Sequence, residues 1–212
     1  MVHQPSEQAR FWSGAFGDEY SRRCDRASLV DSNTAFFQHV LAGETSVESV
    51  LEFGPNVGLN LAALRRLYPR VRCEAVEVNS GAAEQCRRNI RESRVHCATI
   101  ASALEEGVLS RAELVLMKGV LIHLAPSELG LVYRGVAELA PRLIVIAEYY
   151  NPVPVEIEYR GHRDRLFKRD FAGEFLDATH GYSIVRTGFA YHRDPVAPQD
   201  DLTWFLLQRH TG

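Results

Sequence analysis

The chain is poor in the features that mark specialised classes of protein. Its 212 residues include two methionines, two tryptophans and four cysteines, and no apolar run approaches the roughly 18–20 residues that span a bilayer. Residues 1–10 are polar, without the apolar stretch of a secretory signal, so a cytoplasmic location and no membrane partner are expected. Cys24, Cys73, Cys86 and Cys97 are scattered without a C-x-x-C pair, too few for a disulfide-stapled fold. Reduced, buried thiols are expected, and no metal site. Charge of one sign is also lacking: 24 Lys plus Arg stand against 27 Asp plus Glu, and a net charge of −3 gives no global attraction to nucleic acid. No repeat or low-complexity tract is present, which excludes solenoids and propellers.

What is present is a globular composition, 46% apolar and 24% charged, in a length that suits one domain. Two periods alternate along it. Residues 46–53 (SVESVLEF) read as a strand, Gly-Pro-Asn-Val-Gly as a turn, and LNLAALRRLYP as a helix with Leu59, Ala62, Ala63 and Leu67 at helical spacing. Residues 71–78 and 80–93 repeat strand and helix, 95–100 form a third strand, and LVLM from Leu114 begins a fourth. A helix over 127–139 follows Pro126, then a fifth strand over 142–149. Continuous apolar runs such as LIVIA suit strands buried on both faces of a parallel sheet. Beyond Pro152, a loop rich in Pro, Arg and His leads to a short helix near 170–178 and two closing strands, 182–192 and 202–208. With no crossover helix between them, these two pair antiparallel.

The glycine segment carries the chemistry. In Glu52-Phe53-Gly54-Pro55-Asn56-Val57-Gly58 the glycines let the backbone turn tightly and approach a ligand, and the following helix aims its N-terminus at it. Glu77 ends the second strand 19 residues after Gly58, the distance at which such folds offer a carboxylate to ribose hydroxyls. Nucleoside binding follows. G-x-x-x-G has fewer glycines than the pyrophosphate-cradling G-x-G-x-x-G, and Pro55 removes a backbone donor, so a cofactor without phosphates fits better.

With VLEFGPNVGLN and CEAVEVN, the chain resembles class I S-adenosylmethionine-dependent methyltransferases. The resemblance implies a Rossmann-like α/β fold: a seven-stranded, mostly parallel sheet with an antiparallel last strand (LTWFLLQ) and helices on both faces. It also implies S-adenosyl-L-methionine as cofactor, with Glu52, Gly54 and Gly58 at the methionyl end and Glu77 at the ribose. Asn56, Val78, Lys118, Trp12 and Tyr20 complete the expected cofactor contacts. Four segments (FWSGAFGDEYSRR, LMKGVLIHL, EYYNPVPVEIEYRGHRDRLFKRDFAGE and YHRDPVAPQDDLTWFLLQR) are similar to the methylases associated with pseudaminic acid biosynthesis. That likeness runs through residues 11–209 and points to small-molecule biosynthesis.

Several residues allow two roles each. His123 follows the fourth strand, where it either takes a proton from an acceptor hydroxyl or packs and positions. Lys118 either snorkels to solvent or touches a ligand. Tyr150, a catalytic candidate, and Asn151 follow the fifth strand on the ligand-binding edge, with one of the adjacent tyrosines packing inward. Residues 159–169 concentrate cations, and Tyr159, Arg160, His162 and Arg163 are expected to recognise an anionic acceptor, the alternative being a solvated surface run. Residues 1–45 are expected to be a helical segment, either a lid over the cofactor or a helix docked on the sheet, preceding a methyltransferase domain over 46–212. A small acidic sugar or amino-acid-like metabolite is the expected partner, and no nucleic acid. Attack at another carbon of the sulfonium, releasing methylthioadenosine, and a non-catalytic cofactor-binding subunit are the alternatives.

Overall fold

The structure, a computed structural model, describes residues 5–24 and 27–210; the side chains of Cys24 and Ala27 lie outside the described part. Three helices, α1 (Glu7–Ser13), α2 (Ala15–Cys24) and α3 (Ala27–Val40), precede the sheet. Strands and helices then alternate: β1 (Ser49–Phe53), α4 (Leu59–Leu67), β2 (Arg72–Glu77), α5 (Ser80–Asn89), β3 (Arg94–Cys97), α6 (Ile100–Glu105), β4 (Leu114–Lys118), α7 (Pro126–Glu138) and β5 (Leu143–Glu148). A 3₁₀ turn (Leu121–His123) bridges β4 to α7. The chain closes with β6 (Val155–Tyr159), β7 (His162–Lys168), α8 (Phe171–Ala178), β8 (Tyr182–Ala190) and β9 (Leu202–Arg209). Among the described residues no helix is long and apolar enough to cross a membrane.

Seven strands form one sheet in the order β3-β2-β1-β4-β5-β9-β8, with the first five parallel and β9 antiparallel to both its neighbours. This is the Rossmann-like α/β arrangement expected from the sequence. Strand alternation divides the core between two faces. Leu114 and Leu116 of β4 pack with Phe37, Leu61 and Leu64 on the α3–α4 side, while Val115 and Met117 pack with Val132 and Phe175 on the α7–α8 side. Because both faces are covered, β5 is buried at every position. Truncating Leu116, fully buried, to Ala costs about 2–5 kcal/mol.

Three sequence expectations are corrected. The third strand ends at Cys97, and Ile100, assigned to that strand, begins α6 because the Thr99 side chain accepts from the Ser102 N–H as an N-cap. Cys73 and Cys86 are buried thiols, but Cys97 is exposed. The Arg-rich loop is a hairpin, β6–β7, whose two-residue turn is Arg160 (φ 51°) and Gly161 (φ 82°), between the paired Tyr159 and His162. Arginine seldom occupies a left-handed turn position, so the usual Asn-Gly or Asp-Gly sign of such a turn was missing.

Candidate active site

Parallel strands that all end on one side leave their ligand crevice there. Two adjoining cavities occupy this edge. A narrow one, 120 Å³, runs past Glu77, Val78, Thr99 and Ile100 beneath Trp12. A wider one, 560 Å³, is lined by Asn60, Lys118, Tyr149, Tyr159, Arg160 and Asp200, among others. They share Tyr20, Gly54, Asn56, Gly119 and His123.

The glycine turn forms the floor where the cavities meet. Gly54 (φ 68°) and Gly58 (φ 89°) hold backbone conformations that suit glycine, and a Cβ on Gly54 would sit 2.6 Å from the Val120 side chain. Asn56 also has a positive φ, 52°, and its N–H donates to Glu77 Oε2 at 2.9 Å. The Asn79 N–H donates to Glu77 Oε1 at 2.9 Å. Those two bonds take part of the roughly four acceptor sites of a carboxylate and leave the rest for a ligand. Burial raises the Glu77 pKa, opposed by these backbone N–H groups.

Glu52 is fully buried at the end of β1 and accepts from Asn60 Nδ2 at 2.7 Å. Burial pushes its pKa up to about 7. Glu52 Oε2, Asn56 Oδ1 and Asn60 Oδ1 are buried and have no hydrogen-bond partner among the described residues. Three orphaned acceptors around one turn are costly unless a donor completes them.

Lys118 ends β4 and lines only the wider cavity, its ammonium 5.7 Å from the Phe36 ring centre. Burial lowers its pKa, and the carboxylates of Glu52, Asp200 and Glu148 oppose that. Glu148, which sequence reasoning did not single out, ends β5. Its Oε1 accepts from the N–H groups of Val120 and Leu121 at 3.0 and 2.9 Å, which pins the turn carrying His123. Burial raises its pKa to about 7, and its Oε2 is another orphan. A carboxylate at the end of an otherwise apolar strand was the available signal. Thr99 and Ile100 were also missed as cavity residues, because they were hidden in the over-extended third strand.

His123 lines both cavities and packs at 4.3 Å between centroids on Trp12 and 5.3 Å on Tyr159. Its Nδ1 is 2.7 Å from the Arg165 carbonyl oxygen, which can only accept, so Nδ1 carries the proton and Nε2 is bare. Burial pushes its pKa down to about 4, leaving the ring neutral at pH 7.

The remaining sequence candidates separate. Trp12 and Tyr20 line the narrow cavity, and the Asn79 side chain ties their helices down through Trp12 O (3.3 Å) and Asp18 Oδ1 (2.8 Å). In the N-terminal helices, α3 contributes Phe36 and Phe37 to the core, and residues of α1 and α2 line the narrow cavity. Tyr150 is 41% exposed and, with Asn151, lines neither cavity; Tyr149 is the inward member of the pair. Of the cationic hairpin, Arg160 lines the wider cavity and stacks on Tyr159 at 5.6 Å. His162 packs on Phe11, and Arg163 is exposed and lines neither cavity. Arg165 pairs with Glu7 at 3.3 Å, and Arg169 with Glu174 at 2.7 Å, so these charges hold the fold.

No family model matches the chain, and no curated protein does. Solved structures do. The chain is similar to mitomycin 7-O-methyltransferase (TM-score 0.67, 13% identity, 98% of this chain) and spans 62% of that protein's length. It is similar over its full length to the 1,6-didemethyltoxoflavin-N1-methyltransferase of Burkholderia thailandensis, solved with bound 1,6-didemethyltoxoflavin and S-adenosylhomocysteine (TM-score 0.70, 15% identity, 92% of that chain). Magnesium protoporphyrin IX methyltransferase of Synechocystis PCC 6803, with S-adenosylmethionine bound, gives a TM-score of 0.66 at 14% identity over 98% of this chain and all of that one. The chain therefore has the fold of class I S-adenosylmethionine-dependent methyltransferases.

Proposed function

We propose that the protein is an S-adenosylmethionine-dependent methyltransferase acting on a small, polar, anionic acceptor. The observation that carries it is the trio of orphaned oxygens, Glu52 Oε2, Asn56 Oδ1 and Asn60 Oδ1, at the glycine turn. Asn56 and Asn60 line the wider cavity, and Glu52, which lines neither cavity, accepts from Asn60. An ammonium, with three N–H donors, such as the α-ammonium of a methionyl group, would suit acceptors of this kind. Glu77 would take the ribose hydroxyls, and Val78, Thr99 and Ile100 would flank the adenine. The cofactor supplies an activated methyl on a sulfonium, and the transfer disperses positive charge.

The chain's part is alignment and the exclusion of water. The α1–α2 pair, whose Trp12 and Tyr20 line the narrow cavity, would act as the lid. Lys118 and Arg160 face the wider cavity, and neither has an ion-pair partner within 4.0 Å among the described residues. They suit a carboxylate on the acceptor. We take an acidic sugar as the acceptor because the resemblance of the four sequence segments implies it; no family model and no curated protein matches the chain.

Calorimetry with S-adenosylhomocysteine tests the cofactor. Product analysis after incubation with methyl-labelled S-adenosylmethionine and a panel of acidic sugars, hydroxy acids and amino acids tests the reaction. Labelled, methylated product with release of S-adenosylhomocysteine is expected. Release of methylthioadenosine instead, or no cofactor binding, overturns the reading.

A further inference from the structure

The wider cavity has a second histidine at its mouth. Because β9 runs antiparallel to β5, it starts on the carboxyl edge of the sheet, with Thr203 paired to Glu148. Strand β8 ends there too, since Ala190 pairs with Leu202. The connection over 191–201 is thereby delivered to the same edge as Lys118 and the glycine turn. Within it the Asp201 carboxylate is gripped by one residue twice. The His192 N–H donates to Oδ1 at 3.0 Å, and His192 Nδ1 lies 2.8 Å from Oδ1 and 3.0 Å from Oδ2. These hydrogen bonds hold Asp201 below the usual carboxylate range, so it is ionised and accepts. The proton of a neutral His192 ring therefore sits on Nδ1, which leaves Nε2 bare. His192 lines the cavity beside Asp200, Lys118 and Arg160.

The geometry points to His192 and Asp201 as a general-base dyad for the acceptor, which makes the nucleophile a hydroxyl. The inference rests on the methyl-transfer reading above. His192 is the catalytic residue, and Asp201 is the positioning residue that fixes its tautomer and ring plane, the arrangement a proton-accepting imidazole needs. As the acceptor oxygen forms its bond to the methyl carbon, its proton passes to Nε2. A bound sulfonium cofactor would supply the methyl and would keep the electron pair of its carbon–sulfur bond on sulfur, as a thioether. His192 then returns the proton to water, which a half-exposed side chain can do, its exposure being 55%. His123 is poorly suited to that role, since its ring is enclosed by Trp12 and Tyr159. A carboxylate nucleophile would need no dyad, so the acid that Lys118 and Arg160 suit would be the handle of the acceptor rather than its point of attack.

Two measurements test this. Histidine ¹⁵N NMR of the S-adenosylhomocysteine complex, with His192 assigned by its loss in His192→Gln, should show Nδ1 protonated and Nε2 bare, and Asp201→Ala should release that tautomer. With the best hydroxyl acceptor of the panel, His192→Gln should lose about 10²–10⁴-fold in kcat. Its S-adenosylhomocysteine affinity should stay that of the wild type, and added imidazole should restore turnover to His192→Ala. A loop clasp without a catalytic role would show neither the kcat loss nor the rescue. A proton on Nε2 in the wild type, turnover of His192→Gln within threefold of wild type, or methylation confined to carboxylates overturns the dyad. Absence of cofactor binding by the wild type refutes the methyl-transfer reading instead.

Discussion

Replacing Glu52 with Gln should make the ligand-free protein more stable and a poorer binder. Glu52 is fully buried, and burial holds its carboxyl at about 7 in place of 4.5. The folded state therefore keeps a proton that the unfolded chain releases, and stability falls as pH rises between those values. At about 1.4 kcal/mol per pH unit, that loss is on the order of 3 kcal/mol above pH 7. A glutamine keeps the shape, still accepts from Asn60 Nδ2, and carries no charge to bury. Urea denaturation should give nearly equal stabilities for the two proteins near pH 4 and an advantage for Glu52→Gln near pH 8. The wild-type slope should not vanish in the variant, since Glu148 is raised to about 7 by the same cause. Calorimetry should show weaker S-adenosylmethionine binding by about 1.5–3 kcal/mol, the range for a hydrogen bond to a charged group. If Glu52→Gln is no more stable than wild type at pH 8, the carboxyl carries no burial penalty and this reasoning fails.

Gly58→Ala should cost about 2–4 kcal/mol, because φ is 89° and the new Cβ would sit 2.9 Å from both Cys86 Sγ and Ile90 Cγ1. Gly43→Ala, with φ 90° and open space, should show only the backbone part of that cost, as urea midpoints would report. Glu77→Ala should weaken S-adenosylhomocysteine binding by about 1–3 kcal/mol in calorimetry. Trp204 is buried and lines neither cavity, so any fluorescence change on adding S-adenosylhomocysteine should vanish in Trp12→Phe. With His123 held at about 4, its variant His123→Gln should keep the wild-type shape of the pH–rate profile between about pH 5.5 and 8.

Much of this protein was legible because local chemistry wrote it. The alternation of apolar runs with helical spacing marked β1 to β5, and Gly54, Gly58 and Glu77 mark themselves by spacing, since a tight turn needs glycine and the acid must end the next strand. Element ends were less legible: a cap such as Thr99 outweighed the apolar appearance of Ile100, and a left-handed Arg160 hid a hairpin. Local chemistry along the chain was enough for the parallel α/β architecture, the turn and its acidic partner. Which polar groups share a cavity follows from the folded arrangement alone. Proximity of residues far apart in the chain depends on strand order and register, which no local pattern encodes. That is why the Arg-rich run resolved into one cavity arginine, Arg160, with Arg165 and Arg169 paired elsewhere. It is also why Glu148 and the His192–Asp201 pair emerged only once β5, β8 and β9 were laid side by side.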